Sequence, residues 1–402
     1  MEQITIVAIA YNRKNSLKRL LSSLSNIIVP NNEQVRLYIS IDRSPKEEQK
    51  NLDVYKLAKD YEWPYGEKVI DYKEKNLGLK CHVLLCGNLT SKYENVIVLE
   101  DDIVVSPLIY IYAKQVLQFY KNEKKVAGFG LYSFQRNPLN NLPFIPINNT
   151  SDVYFLQYAC SWGQLWTKEK WKEFYEWYLK NKENDFSNCP AIPKNIKKWG
   201  EKSWLKYHTI YTILNNKFFV YPQVGLATNF TDKGIHSKKE SIAYQCTTYI
   251  NDNKNVKFKF INFKNAMNKY DSYFENTELN RFMGTKEKIS SDLYGEKPIE
   301  VIQNYANLLL SSKKYNFKII NSYSLSMYPY EANIINNIEG ENLYLYDIKT
   351  NSKNKNKNNR FNLLKYLYKL CEPSKNDIFV LAIELFQCMN KKIMNKLKKN
   401  IK

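Results

Sequence analysis

Over its first hundred residues the chain alternates between two rhythms of apolar and polar positions. Short, mainly apolar runs occur at 4–10 (ITIVAIA), from Val35 to Ile41, at 69–72 and, unbroken, at 96–99 (VIVL). Such runs read as strands covered on both faces. Between the first two, leucines 17, 20, 21 and 24 recur with helical period. After the second, SPKEEQKNLDVYKLAKDY opens at Ser44, a residue suited to capping a helix. KEKNLGLK leads from the third run into a further helical stretch that reaches Tyr93. Strands alternating with helices predict an α/β fold with a mainly parallel, doubly wound sheet flanked by helices. Ligands of such sheets bind outside the carboxyl ends of the strands.

The pattern becomes less regular afterwards. VAGFGLYSF (126–134) reads as a strand, Pro138 to Pro146 as a loop, and WKEFYEWYLK (171–180) as an amphipathic helix. A second helix is expected over 199–214, then a strand in FFVYPQVGLATN and a polar loop, FTDKGIHSKK, with the character of a lid. Beyond residue 255 no stretch carries a recognisable chemical motif. IEVIQNYANLLLSS reads as helix, and KFKFINF, KIINSY and LYLY read as strands. NSKNKNKNNR (351–360) has the composition of a flexible basic linker. The remaining residues alternate apolar and lysine-rich segments, as expected of a basic amphipathic helical tail. The expected organisation is an α/β domain over 1–250, a mixed or helical region over 251–348, a linker over 349–360 and a tail over 361–402.

Composition refines this picture. At 402 residues, with 44% hydrophobic and 14% aromatic content, the chain is long enough for two folded units. Sixty Lys and Arg against 40 Asp and Glu give a net charge of +20, which favours polyanionic partners. Nucleic acid is not expected among them, because the chain has no zinc-finger spacing, no RNP-like aromatic motif and no helix-turn-helix signature. Seven cysteines without a CxxC pair read as free thiols in a reducing compartment. The N-terminus enters a strand directly rather than a signal peptide, and no window offers the ~20 apolar residues of a membrane span. A cytoplasmic protein is expected, with the tail providing a peripheral contact to an anionic membrane surface.

The chemistry concentrates where the fourth run ends. Glu100, Asp101 and Asp102 follow Leu99 directly. Adjacent carboxylates repel one another and raise each other's affinity for protons unless a cation sits among them. A divalent ion with oxygen ligands, Mg2+ or Mn2+, resolves that conflict and completes its shell with water and phosphates. A solvated acidic turn is the plain alternative. The other strand ends decide against it, since Arg13, Asp42 and Asn76 also fall at or just beyond carboxyl ends. Four successive strand ends thus bring groups suited to a base, a ribose, a phosphate or a metal, which points to a nucleotide crevice.

Taken together, VAIAYNRKNSLKRLLSSL, YISID, NLGLK, VIVLEDDIVVSP, SWGQLW and GLATNFTDKGIHS resemble the GT-A glycosyltransferases, a Rossmann-like nucleotide-sugar fold. They are most similar to the inverting family-2-type enzymes and the β-1,2-N-acetylglucosaminyltransferase group, whose metal motif is also EDD. The resemblance covers roughly residues 1 to 250. It implies transfer of a sugar from a nucleotide donor, UDP-linked by this pattern, to a glycan or lipid-linked glycan, as in polysaccharide biosynthesis. It also implies that Asp102 is the direct metal ligand, with Glu100 and Asp101 near ribose, sugar or metal-bound water. Arg13 then lies near the nucleotide, Asp42 accepts from the uracil ring, Lys80 is a candidate donor contact, and His236 reaches the pyrophosphate from a closing loop. Most of the tryptophans between 162 and 204 are expected in the core, with one or two lining a sugar platform.

Inversion needs a base on the acceptor side. Members of this group carry an acid just before a tryptophan, but matching that tryptophan to Trp204 puts Lys202 and Ser203 in the acidic positions. Glu201 is the nearest carboxylate and is taken as the base, with Glu183, Asp185 and Asp232 open as alternatives. Two rival readings accompany the transferase. A nucleotidyltransferase usually needs a glycine-rich loop after the first strand, which AYNRKNS lacks. A non-catalytic, transferase-like binding protein fits a chain whose base is poorly marked.

Overall fold

The computed structural model describes residues 3–230, 232, 242–250 and 253–351. The expectations for His236 and for residues 352–402 lie outside them. Fifteen strands are described: β1 (Ile4–Ala10), β2 (Arg36–Ile41), β3 (Lys68–Tyr72), β4 (Asn95–Glu100), β5 (Ile103–Val105), β6 (Val126–Gly130), β7 (Val153–Leu156), β8 (Gln164–Thr167), β9 (Phe218–Pro222), β10 (Ala227–Asn229), β11 (Lys269–Tyr270), β12 (Ile289–Asp292), β13 (Leu308–Ser311), β14 (Phe317–Tyr323) and β15 (Leu343–Asn351). Nine of them form one sheet in the order β11-β7-β9-β6-β8-β4-β1-β2-β3. β3, β2, β1 and β4 run parallel, as do β6 with β9 and β7 with β11, while β8 is antiparallel to both of its neighbours and β7 is antiparallel to β9. The expected α/β architecture, a large, mainly parallel sheet flanked by helices with a mixed C-terminal region, is therefore what the chain adopts.

Both faces of the sheet are covered, which is why its central strands are apolar throughout. One core holds Ile4, Ile6, Ala8 and Ala10 of β1 against Leu17, Leu20, Leu21 and Leu24 of the helix Lys14–Leu24 and against the helix Ile109–Tyr120. The alternate residues Val7 and Ile9 face the other core. There they meet the helices Leu79–Asn88, Lys168–Asn181 and Trp204–Leu214. A second, four-stranded sheet (β12-β13-β15-β14) follows, and β5 pairs with β10 as a separate ribbon.

Several sequence expectations shift. The segment 199–214 is helical only from Trp204, because Ser203 accepts a hydrogen bond from Lys206 N and caps the helix there. Glu201 consequently lies in the exposed turn before it. FFVYPQVGLATN splits into β9 and β10, and IEVIQNYANLLLSS into a short helix (Ile299–Tyr305) and β13. KFKFINF forms no strand, although its Phe258 is buried beside Tyr112. β11 joins the main sheet beyond residue 250, and β15 runs to Asn351, into the stretch expected to be linker. Among the described residues, no helix is long and apolar enough to cross a membrane.

Candidate active site

The carboxyl ends of β1, β2, β3, β4 and β6 share one edge of the sheet, and β8, running the other way, begins there. In-register pairing sets the polar residues side by side. Ala10 pairs with Ile41 and Ile9 with Glu100, so Arg13, Asp42 and the three acids emerge together. Arg13 Nε donates to Asp101 Oδ2 at 3.2 Å, and its Nη2 donates to Asp101 Oδ1 and, at 3.1 Å, to Asp102 Oδ2. One guanidinium thus binds two of the three acids. Burial pushes Asp101 up to about 7 against the opposing pull of Arg13. Burial, with Asp102 and Asp101 adding, pushes Glu100 up to about 8. The Glu100 carboxyl has no hydrogen-bond partner among the described residues. The cluster is short of positive charge.

The loop after the acids is fixed by the ribbon. Asn229 pairs with Ile103, and Phe230 N donates to the Asp102 carbonyl at 2.8 Å. Next along the chain, Asp232 accepts from Ser16 Oγ and Arg19 Nη2, and the Arg19 guanidinium lies 3.6 Å from the Phe230 ring centroid. This Arg19–Asp232 fastening was not legible in the sequence, because the partners are 213 residues apart. It also commits Asp232 to a structural pairing, which weakens it as a base.

Asp42 shapes the loop that follows β3. It is buried and accepts from Arg43 N (2.9 Å), Leu77 N (2.8 Å), Gly78 N (3.0 Å) and Asn76 Nδ2 (3.3 Å). Two carboxylate oxygens have about four lone-pair sites, and all are used in shaping the loop after β3. Gly78 can serve because its φ of +75° is open to glycine. Asn76 donates its amide to the Arg43 carbonyl as well, at 2.6 Å. Asp42 and Asn76 are therefore brought together, as organisers of the crevice wall.

Lys80 donates to the backbone carbonyl of Glu201 at 2.8 Å and lies 5.3 Å from the Tyr207 ring. The lysine and the candidate base are neighbours, although the Glu201 side chain is exposed. Glu183 is exposed, and Asp185 is occupied with Ser187 in a local turn.

A divalent cation fits this site in one way only. Among the described residues, no group of three His, Cys, Asp or Glu side chains could hold a metal ion. Asp102, however, uses a single oxygen on Arg13 and presents the other without a protein partner among the described residues. The donor set suits a hard ion held by one carboxylate, with phosphates and water supplying the rest.

No family model matches this chain, and no curated protein matches it. Among solved structures it is similar to residues 1–349 of TarS from S. aureus, at 13% identity over 55% of this chain and 58% of that one, with a TM-score of 0.34. The TarS structure in complex with UDP-GlcNAc aligns over 55% of this chain and 56% of that one, with a TM-score of 0.35. The mannosyltransferase PcManGT from Pyrobaculum calidifontis, in complex with GDP-Man and Mn2+, aligns at 11% identity and a TM-score of 0.33, over 55% of this chain and 57% of that one. In each case the match spans less than two thirds of either chain.

Proposed function

We propose that this chain is a metal-dependent inverting glycosyltransferase, moving a sugar from a nucleoside diphosphate, UDP by its sequence pattern, to a hydroxyl of a glycan or lipid-linked glycan. The observation that carries the reading is the Arg13–Asp101–Asp102 constellation at the mouth of a parallel sheet, short of positive charge and flanked by the loop that Asp42 organises. A purely structural ion pair needs no such excess of acid.

Each residue then has a role. Arg13 presents a planar fork that matches phosphate oxygens, so an incoming diphosphate competes with Asp101 and Asp102 for it. Asp102 is the residue that would hold a divalent cation, through the oxygen that Arg13 leaves unpaired. A bound Mn2+ or Mg2+ would neutralise charge on the departing diphosphate. The wall of Asp42, Asn76 and Gly78 holds the shape of the nucleotide side. Glu201, anchored through its backbone to Lys80, is the proposed base that takes the acceptor proton on the opposite face. Residues 361–402, outside the described residues, are the proposed contact to an anionic lipid surface. Their deletion should abolish liposome sedimentation, and unchanged sedimentation would remove that role.

A panel of UDP- and GDP-sugars with and without Mn2+ tests the proposal. We expect metal-dependent thermal stabilisation by at least one donor and slow release of its nucleotide. Absence of any response across the panel would overturn the reading.

A further inference from the structure

The same sheet edge has a second half that the nucleotide reading leaves unused. β8 is antiparallel to β4 in the register Val98 to Gln164, so the residues just before β8 rise beside the end of β4. Gly163, at φ +95°, makes that approach possible. A Cβ there would meet Ala227, Leu131 and Leu99 at 3.1–3.4 Å. Its carbonyl accepts from Leu131 N at 3.0 Å, which brings the end of β6 alongside.

Three aromatic rings meet at this point. Trp162 lies 4.7 Å from Tyr132 and 5.5 Å from Tyr244, centroid to centroid. Tyr132 is fully buried behind it and donates its hydroxyl to the Tyr244 carbonyl at 3.0 Å, which braces the ledge from below. Tyr244 itself is 37% exposed and Trp162 half-buried.

The polar handles of the ledge distinguish it from core packing. The indoles of Trp63, Trp166 and Trp171 donate to Val35 O, Gln164 and Asn88. The Trp162 indole N–H and the Tyr244 hydroxyl have no partner among the described residues, and neither has Glu100, which ends β4 beside them. No lysine or arginine pairs with any of the three among the described residues. Two partly open rings, two free donors and one free acceptor form a surface that is apolar in the middle and polar at the edges. A pyranose has the same division, with C–H groups on its faces and hydroxyls around its rim. A phosphate group would find no lysine or arginine paired with these three residues to receive it.

We propose that Trp162 and Tyr244 form a stacking subsite for a neutral pyranose of the acceptor, with Glu100 receiving hydrogen bonds from its hydroxyls. The assignment to the acceptor rests on the transferase reading, whereas the ledge stands on its own contacts.

Saturation-transfer NMR on the full-length protein, with chitotriose, cellotriose and maltotriose as probes, tests this. The expected result is saturable transfer to at least one probe, strongest at ring C–H protons and undiminished by UDP. Trp162→Ala and Tyr244→Ala should each weaken it by about tenfold, the scale of one aromatic stacking contact. Tyr244 is exposed enough that its variant keeps the test valid if Trp162→Ala fails to fold. Transfer to none of the probes, binding unchanged in Tyr244→Ala, or displacement of the sugar by UDP would each overturn the proposal; the last would assign the ledge to a nucleotide base. Thermal stabilisation of the wild type by nucleotide sugars separates the two readings. Sugar binding without a nucleotide response keeps the ledge and removes the transferase, and the reverse keeps the transferase and removes the ledge.

Discussion

Glu100, Asp101 and Asp102 at the end of β4 invite comparison with a second acid triad, Asp271, Glu275 and Asp292, where the main sheet meets the C-terminal one. The second triad has two cations and a set of hydrogen-bond donors of its own. Lys297 Nζ lies 2.6 Å from Asp271, and Lys313 Nζ lies 3.7 Å from Asp292. Glu275 accepts from Ser291 Oγ at 2.8 Å and Tyr294 N at 2.7 Å, and Asp292 accepts from Lys297 N at 2.8 Å and Ser311 Oγ at 3.2 Å. At β4, Asp101 and Asp102 share the single guanidinium of Arg13, and Glu100 has no ion-pair partner among the described residues. Buried carboxylates are costly wherever they occur. The interior triad meets that cost with its own lysines and donors, while the strand-end triad leaves part of it for a ligand to meet.

The comparison is most easily broken by removing the interior cation. Lys297→Met should destabilise the fold by about 3–5 kcal/mol, the usual result of stripping one partner from a buried ion pair. Donor response per folded molecule should stay as in wild type. Denaturant titration measures the first and nucleotide-sugar stabilisation the second. An unchanged midpoint would mean that the interior triad is not structural.

Asp102→Asn should do the converse. Turnover should fall by about 10²–10³-fold, the typical loss when one preorganised electrostatic group is taken from a reacting centre. Thermal stability should hold or rise, because one of three crowded charges is gone. A variant with wild-type, metal-dependent turnover would break the site assignment at its strongest point.

Glu201→Gln sharpens the acceptor side. A general base supplies at least about 10²-fold, so kcat should drop by that factor while the donor KM stays level. A kcat within a few fold of wild type would return Glu201 to the role of an exposed turn residue.

The two triads also explain what could be read from the sequence. EDD is contiguous and follows an apolar run, so a strand end and a charge conflict are visible together. Asp271, Glu275, Asp292, Lys297 and Lys313 spread over more than forty residues without a period, and only folding assembles them. The same holds for Arg19 with Asp232. Of the first four strands, β1 and β4 were legible because coverage on both faces makes them nearly uniformly apolar, and β2 and β3 because each is a short apolar-rich run between helical stretches. β7 and β8 were not separated within the aromatic stretch 154–166, because both are four residues long and buried throughout, which leaves no alternation to mark them. IEVIQNYANLLLSS reads as a helix by propensity, yet β15 recruits Leu308–Ser311 into a strand, a case of tertiary pairing overriding local preference. Asp42 was found at the right place, but its saturation by loop amides depends on the path after β3, which the local pattern does not encode.

The smallest expected effect concerns protons. Three interior acids face two ammonium groups, which pair with Asp271 and Asp292 and leave Glu275 held by neutral hydrogen-bond donors. Burial, joined by the charge of Asp292 and opposed by Lys297, pushes it up to about 8. A carboxyl raised in this way contributes stability that is complete below its ordinary value near 4.5 and is lost as pH rises through about 8. Wild-type stability should therefore decline on the alkaline side, by on the order of 1–2 kcal/mol between pH 5 and 9 once solvent relaxation discounts the full shift. Glu275→Gln, which keeps the hydrogen-bonding shape without the titration, should flatten that slope while leaving the donor response intact. If the variant declines with the same slope, the missing positive charge is shared by another acid of the triad, and the contrast with the strand-end cluster would rest on geometry alone.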